Sequence, residues 1–146
     1  MKVLQGATMM AVTISWLIRD VVIYSRYSDV VTSADIQEAN RTFDALVKDL
    51  SKEHPVHLIV DRLEVTRDTT TLSENVKASS GHEKINMGKV VIIERSNSAT
   101  RVISNFIVAA IGQLLHFDYK SFDSMRGAMD YLANYDPRVS AWAKQQ

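Results

Sequence analysis

The stretch from Val56 to Asp61 constrains the fold more than any other part of the chain. Its apolar residues do not alternate with polar ones, and only His57 interrupts them. A strand with one solvated face alternates, whereas a run this continuous belongs to a strand covered on both faces, in the middle of a sheet. Lys89 to Glu94, with Val90, Val91, Ile92 and Ile93, reads as a second buried strand.

Helical patterns lie around these runs. Thr32 with Asp35 three residues on is a capping-box start, and Ile36, Ala39, Phe43, Leu46, Val47 and Leu50 then form one apolar stripe at spacings of three and four. Lys52, His54 and Pro55 close that helix. Thr69, Thr70 and Thr71 stand where a second helix begins, running to about Ser80, and Gly81 and Gly88 mark the loop after it. A third helix starts near Ser98. His116 to Phe122 reads as the last strand, and Asp123 as the cap of a final helix carrying Met125, Ala128, Met129 and Leu132.

Ahead of all this, Ile14 to Arg19 and Val21 to Ser28 read as two strands meeting at Asp20. Single helices between successive strands require right-handed crossovers and parallel pairing. The expected fold is therefore α/β: a single mixed, mostly parallel sheet of about five strands with crossover helices. Residues 1–13 are an N-terminal extension, 14–136 the domain and 137–146 a C-terminal tail.

Composition narrows the function. Seventeen basic side chains balance seventeen acidic ones, with no basic stripe of the kind a nucleic-acid binder needs. The absence of cysteine excludes a disulfide framework, a zinc ribbon and a thiol nucleophile. Gln5, Gly6, Thr8, Thr13 and Ser15 break up the apolar amino terminus, so neither a signal peptide nor a membrane span is expected. A cytoplasmic location follows as the expectation.

Catalytic sets are hard to assemble. His54, His57, His82 and His116 lack the spacing of a metal site, and the five glycines build no phosphate loop. No cofactor and no metal are expected. His57 reads as a core or edge histidine bonded to backbone. Asp61 ends a buried strand, where open α/β sheets present ligands; loop hydrogen bonds, or pairing with Arg62 or Arg67, are its structural alternatives. Asp61, Asp68 and His82 form the strand-end polar set to test first for any chemistry.

The His-Pro-Val-His-Leu-Ile-Val-Asp stretch from His54 to Asp61, with the Phe122-Asp123 helix start, resembles the STAS superfamily, named from sulphate transporters and anti-sigma factor antagonists. The resemblance extends in element order from Ile14 to Tyr135 and points to stand-alone bacterial members of uncharacterised function. It implies a non-catalytic regulatory module that works through a protein partner. It also implies a phosphoacceptor at the helix start, in an Asp-Ser-Ser/Thr-Gly pattern. Asp68-Thr69-Thr70-Thr71-Leu72 occupies that place, with Thr69 for the usual serine and no glycine. Thr69 and Thr70 are the phosphoacceptor candidates; the alternative is that the threonines only cap the helix.

From Val102 to Leu115 the third helix carries polar side chains only at Ser104, Asn105 and Gln113. Val108, Ala109 and Leu115 exceed the stripe that one sheet face requires. Either neighbouring elements cover them or they form a partner surface, of which a symmetric homodimer is the simplest case. A small apolar, lipid-like ligand beneath Phe106, Ile107 and Phe117 is a further alternative. Trp142, in the tail, is expected to dock on the body or on a second subunit.

Overall fold

The computed structural model describes residues 11–71, 73–74, 77, 86–95 and 119–146. Five strands form one sheet: β1 (Val12–Ile18), β2 (Val22–Val31), β3 (Val56–Asp68), β4 (Met87–Ile93) and β5 (Tyr119–Phe122), in that spatial order. β1 and β2 are an antiparallel hairpin, and the β2–β3, β3–β4 and β4–β5 pairs are parallel. The expected mixed, mostly parallel α/β sheet is present.

Helices cover both faces. Helix α1 (Ser33–Val47) starts at the expected capping box, where the Thr32 side chain accepts from Asp35 N and Asp35 accepts from Thr32 N. It brings Phe43 and Val47 against Ile23 and Val56, with Leu58 and Trp16 at the margin. Helices α2 (Met125–Tyr135) and α3 (Pro137–Ala143) cover the other face, where Ala128, Leu132 and Val139 meet Val22, Ile59, Val91 and Ile93. Adjacent residues such as Leu58 and Ile59 thus enter different apolar layers. That is why Leu58, Ile59 and Val60 follow one another with no polar residue between them.

Several boundaries differ from expectation, among them that of β2, which runs on to Val31. β3 continues to Asp68, because its second half still pairs with β2 from Ser28↔Glu64 to Val31↔Asp68. Lacking β4 on its other side, this half exposes Glu64, Thr66 and Arg67 and buries Val65, so its sequence has the polarity of a loop. Helix α2 is capped by Ser124, not Asp123: the Ser124 hydroxyl accepts from Gly127 N at 3.1 Å. The segment 137–146 is largely helical rather than a tail. Pro137 occupies its first turn, Asp136 caps it, and Val139 is fully buried. Trp142 packs against the chain's own core.

Candidate functional site

β3 and β4 pair as far as Asp61↔Ile93. The next residue on each strand is charged, and the two charges are opposite. Arg62 and Glu94 therefore emerge side by side at the carboxyl end of the parallel sheet, with Arg62 Nε 3.3 Å from Glu94 Oε1. Both are nearly enclosed, with side-chain exposures of 10% and 4%. Burying a charge this deeply requires a partner, and each supplies part of the other's.

Arg62 also donates through Nη2 to Asp68 Oδ2 at 2.8 Å. The other oxygen of Asp68 accepts from Thr70 N at 2.9 Å and from Thr70 Oγ1 at 2.5 Å. The chain from Glu94 through Arg62 and Asp68 to Thr70 thus ties the end of β4 to the loop after β3. Thr69 is anchored differently: its amide and its hydroxyl both donate to Val31 O, at 2.9 and 3.0 Å. Thr71 exchanges hydrogen bonds with Glu74, accepting from Glu74 N at 3.1 Å and donating its amide to Glu74 Oε1 at 3.2 Å. That is a capping box, so Thr71 holds the capping position among the three threonines. Hydrogen bonds from Ser33 and Thr71 lower the Glu74 pKa. Tyr27 lies in the same region. Burial pushes its phenol up to about 12, with Arg62 opposing and Asp68 and Asp35 adding to the rise.

Asp61 does not join this group. It accepts from Tyr24 Oη at 2.5 Å and from Leu63 N at 3.1 Å. Arg62 binds Asp68 and Glu94 instead. Of the expected strand-end set, Asp61 and Asp68 have separate partners, and His82 lies outside the described residues. Thr69 is exposed and Thr70 half-buried, next to each other at the strand end. Val108, Ala109 and Leu115, with Phe106, Ile107 and Phe117, also lie outside the described residues. Among the described residues no cluster of metal-ligating side chains occurs, and no helix is long and apolar enough to cross a membrane.

Sequence reasoning missed Arg62 and Glu94 as a pair. The available signal was that two buried runs, expected to lie side by side, each give way to a charge of opposite sign.

A second buried polar group occupies the amino end of the sheet. His57, 0% exposed, accepts at Nδ1 from Lys89 N at 2.9 Å, while Nε2 lies 2.8 Å from Asp136 Oδ2. The expectation of a backbone-bonded core histidine describes half of this. Asp136 also accepts from Arg138 Nη2 at 2.7 Å, and Arg138 Nη2 reaches Pro55 O at 2.6 Å.

In the two groups Asp68 and Asp136 each already accept several hydrogen bonds, and Glu94 is ion-paired with Arg62. Such arrangements hold loops and helix ends in place, and they offer a reacting group little freedom.

No protein-family model and no curated protein matches the chain. Among solved structures it is similar to an uncharacterised protein of the DUF3478 family with a SpoIIAA-like fold from Shewanella loihica PV-4. The TM-score is 0.63 and the sequence identity 14%, over 88% of this chain and 98% of that one. At that identity the likeness establishes the fold alone: the chain has a SpoIIAA-like architecture, the kind of fold that the His54 to Asp61 resemblance implied.

Proposed function

We propose that the chain is a non-catalytic regulatory module of STAS type that works by binding a protein, in the first instance a second copy of itself. The observation that supports this reading is the use made of charge at the carboxyl ends of the strands. An enzyme of this topology presents free acids, bases or phosphate-binding amides there. Here Arg62 is shared between Asp68 and Glu94, and Asp68 is further occupied by Thr70. The surplus apolar residues Val108, Ala109 and Leu115 supply the contact surface in this proposal. Sedimentation equilibrium over a wide concentration range tests it. A reversible dimer that Val108→Glu weakens supports the reading, and a strict monomer at high concentration overturns self-association.

One observation favours a second, compatible reading, a phosphoswitch at Thr69 or Thr70. The Thr70 hydroxyl is held at the strand end by Asp68, beside an exposed Thr69. A phosphate on Thr70 brings about two negative charges against a carboxylate, forcing the loop to rearrange around Arg62. Phosphate-affinity electrophoresis of protein from its native cell tests this. A shifted band that is lost in a Thr69→Ala, Thr70→Ala variant supports the switch, and a single unshifted band under all growth conditions counts against it.

A further inference from the structure

The β3–β4 ladder has an irregularity at its start. Val56 pairs with Met87 and Leu58 with Val90, so one residue of β3, His57, faces two of β4, Gly88 and Lys89. This is a bulge. In a bulge one backbone amide loses its ladder partner, and here the Lys89 amide turns to the His57 ring, donating to Nδ1 at 2.9 Å. The ring stands in for a backbone carbonyl.

That bond settles the proton. A backbone amide is always a donor, so Nδ1 is bare, and Nε2 carries the hydrogen and donates to Asp136 Oδ2. A second proton would sit on Nδ1, facing the Lys89 N–H across 2.9 Å, donor against donor. The ring is fully buried, so bulk solvent does not reach it to relieve this. Movement on the Asp136 side is resisted, because Asp136 caps α3 and is gripped by Arg138, which also holds the Pro55 carbonyl. The β4 side is held by contacts of another kind. Val56 N donates to Asn86 O at 2.9 Å, Asn86 Nδ2 to Lys52 O at 3.1 Å, and the Lys89 ammonium lies 4.4 Å over the Tyr135 ring.

We propose that the start of β4 is an acid-operated release: protonation of His57 at Nδ1 expels the Lys89 amide and lets residues 86–89 leave the sheet while the ladder from Val90 onward stays paired. The groups facing the ring are Asp136 and Arg138 at the α2–α3 junction and α3, Lys89 on β4 and Tyr135 on α2, whose ring meets it edge-on at 5.7 Å. Burial, the largest influence, lowers the His57 pKa; Asp136 opposes this, and Arg138 and Lys89 reinforce it. The closed state therefore excludes the proton, and the open state takes it up at an ordinary histidine pKa.

The test is pH-dependent amide exchange of the full chain by NMR, with long-range 15N spectra of the imidazole reporting its tautomer. With an open-state pKa near 6.5, the opening equilibrium at Lys89 rises about thirtyfold between pH 8 and pH 5, after correction for intrinsic exchange. Low urea should leave Lys89 exchange unchanged, because little surface is exposed, while Val91 and Ile59 follow the full denaturant dependence of global unfolding. In His57→Asn, whose side-chain oxygen takes the place of Nδ1 without titrating, Lys89 exchange should lose its pH dependence. The proposal is overturned if the proton resides on Nδ1 at neutral pH. It is equally overturned if Lys89 opens with the same free energy and urea dependence as Val91, or if the rise survives in the asparagine variant.

Discussion

Tyr24 on β2 donates its hydroxyl to Asp61 Oδ2 on β3 at 2.5 Å, and the two residues are diagonal rather than direct neighbours, since Asp61 pairs with Arg26. A phenol is long enough to span that diagonal. Burial raises the Tyr24 pKa to about 12, and the Asp61 charge, which a phenolate would meet head-on, adds to the rise. Asp61 is 8% exposed, so deleting the donor leaves an enclosed carboxylate short of a partner. Tyr24→Phe should lower stability by roughly 1.5–3 kcal/mol, read from equilibrium urea unfolding. In an alkaline titration followed by absorbance, Tyr24 and Tyr27 should still be un-ionised at pH 11. Complete ionisation of all five tyrosines by that pH would contradict both placements.

The sheet was legible because the stretches over which β3 and β4 pair are nearly continuous apolar runs, broken in β3 only by His57. Val56, Leu58, Ile59 and Val60 carry no polar alternation, and a strand between two helical layers needs none. The capping box at Thr32 was equally plain, since Asp35 is local to it. What stayed hidden depends on pairing. The second half of β3 has one neighbour instead of two, so Arg62 to Asp68 looks like loop until β2 is placed beside it. Pro137 suggested a tail because it ends α2, yet Asp136 turns the same proline into the first turn of α3. Arg62 with Glu94, and His57 with Asp136, are 32 and 79 residues apart in sequence. Only the register of the strands and the docking of α3 bring them together.

Gly88 has no side chain because His57 uses the space. A Cβ at Gly88 would lie 2.4 Å from Nδ1 and 2.6 Å from Cε1 of that ring, and 3.1 Å from Pro55 Cβ. Gly88→Ala should therefore destabilise by about 1–3 kcal/mol through overpacking. Removing the ring should relieve most of the strain. In a double-mutant cycle, Gly88→Ala should cost far less in a His57→Ala background than in the native one. Additive losses would mean that the glycine is needed for its backbone and not for the clearance.

The β1–β2 hairpin turns at Asp20, whose φ of 63° is left-handed. Aspartate and asparagine tolerate that region, glycine occupies it freely, and a β-branched residue is strained there. The exposed ion pair with Arg19 adds little. Thermal unfolding should rank Asp20→Gly and Asp20→Asn near the native chain and Asp20→Val below it, by roughly 1–2 kcal/mol. An unchanged midpoint in the valine variant would show that the turn adopts another conformation.

Stability should fall with acid in two stages, each with its own residue. His57 has a lowered pKa in the folded chain, so below about 6.5 the unfolded chain binds a proton that the closed native state refuses. The resulting loss begins near pH 6.5 and grows as pH falls toward the lowered native value. Asp136 is also depressed, but for a carboxylate: burial alone would raise it, and the hydrogen bonds from Arg138 and His57 outweigh that and pull it well below the usual carboxylate range. Its contribution is complete above the ordinary aspartate range and is lost as pH falls through and below that range. Urea unfolding at half-unit intervals from pH 8 to pH 3 separates the stages. His57→Asn should flatten the curve between pH 6.5 and 5 and leave the lower limb. Arg138→Ala should shrink the lower limb, because the native Asp136 then titrates closer to its unfolded value. If the upper limb persists without His57, the proton responsible resides elsewhere, and the tautomer argument for the start of β4 loses its support with it.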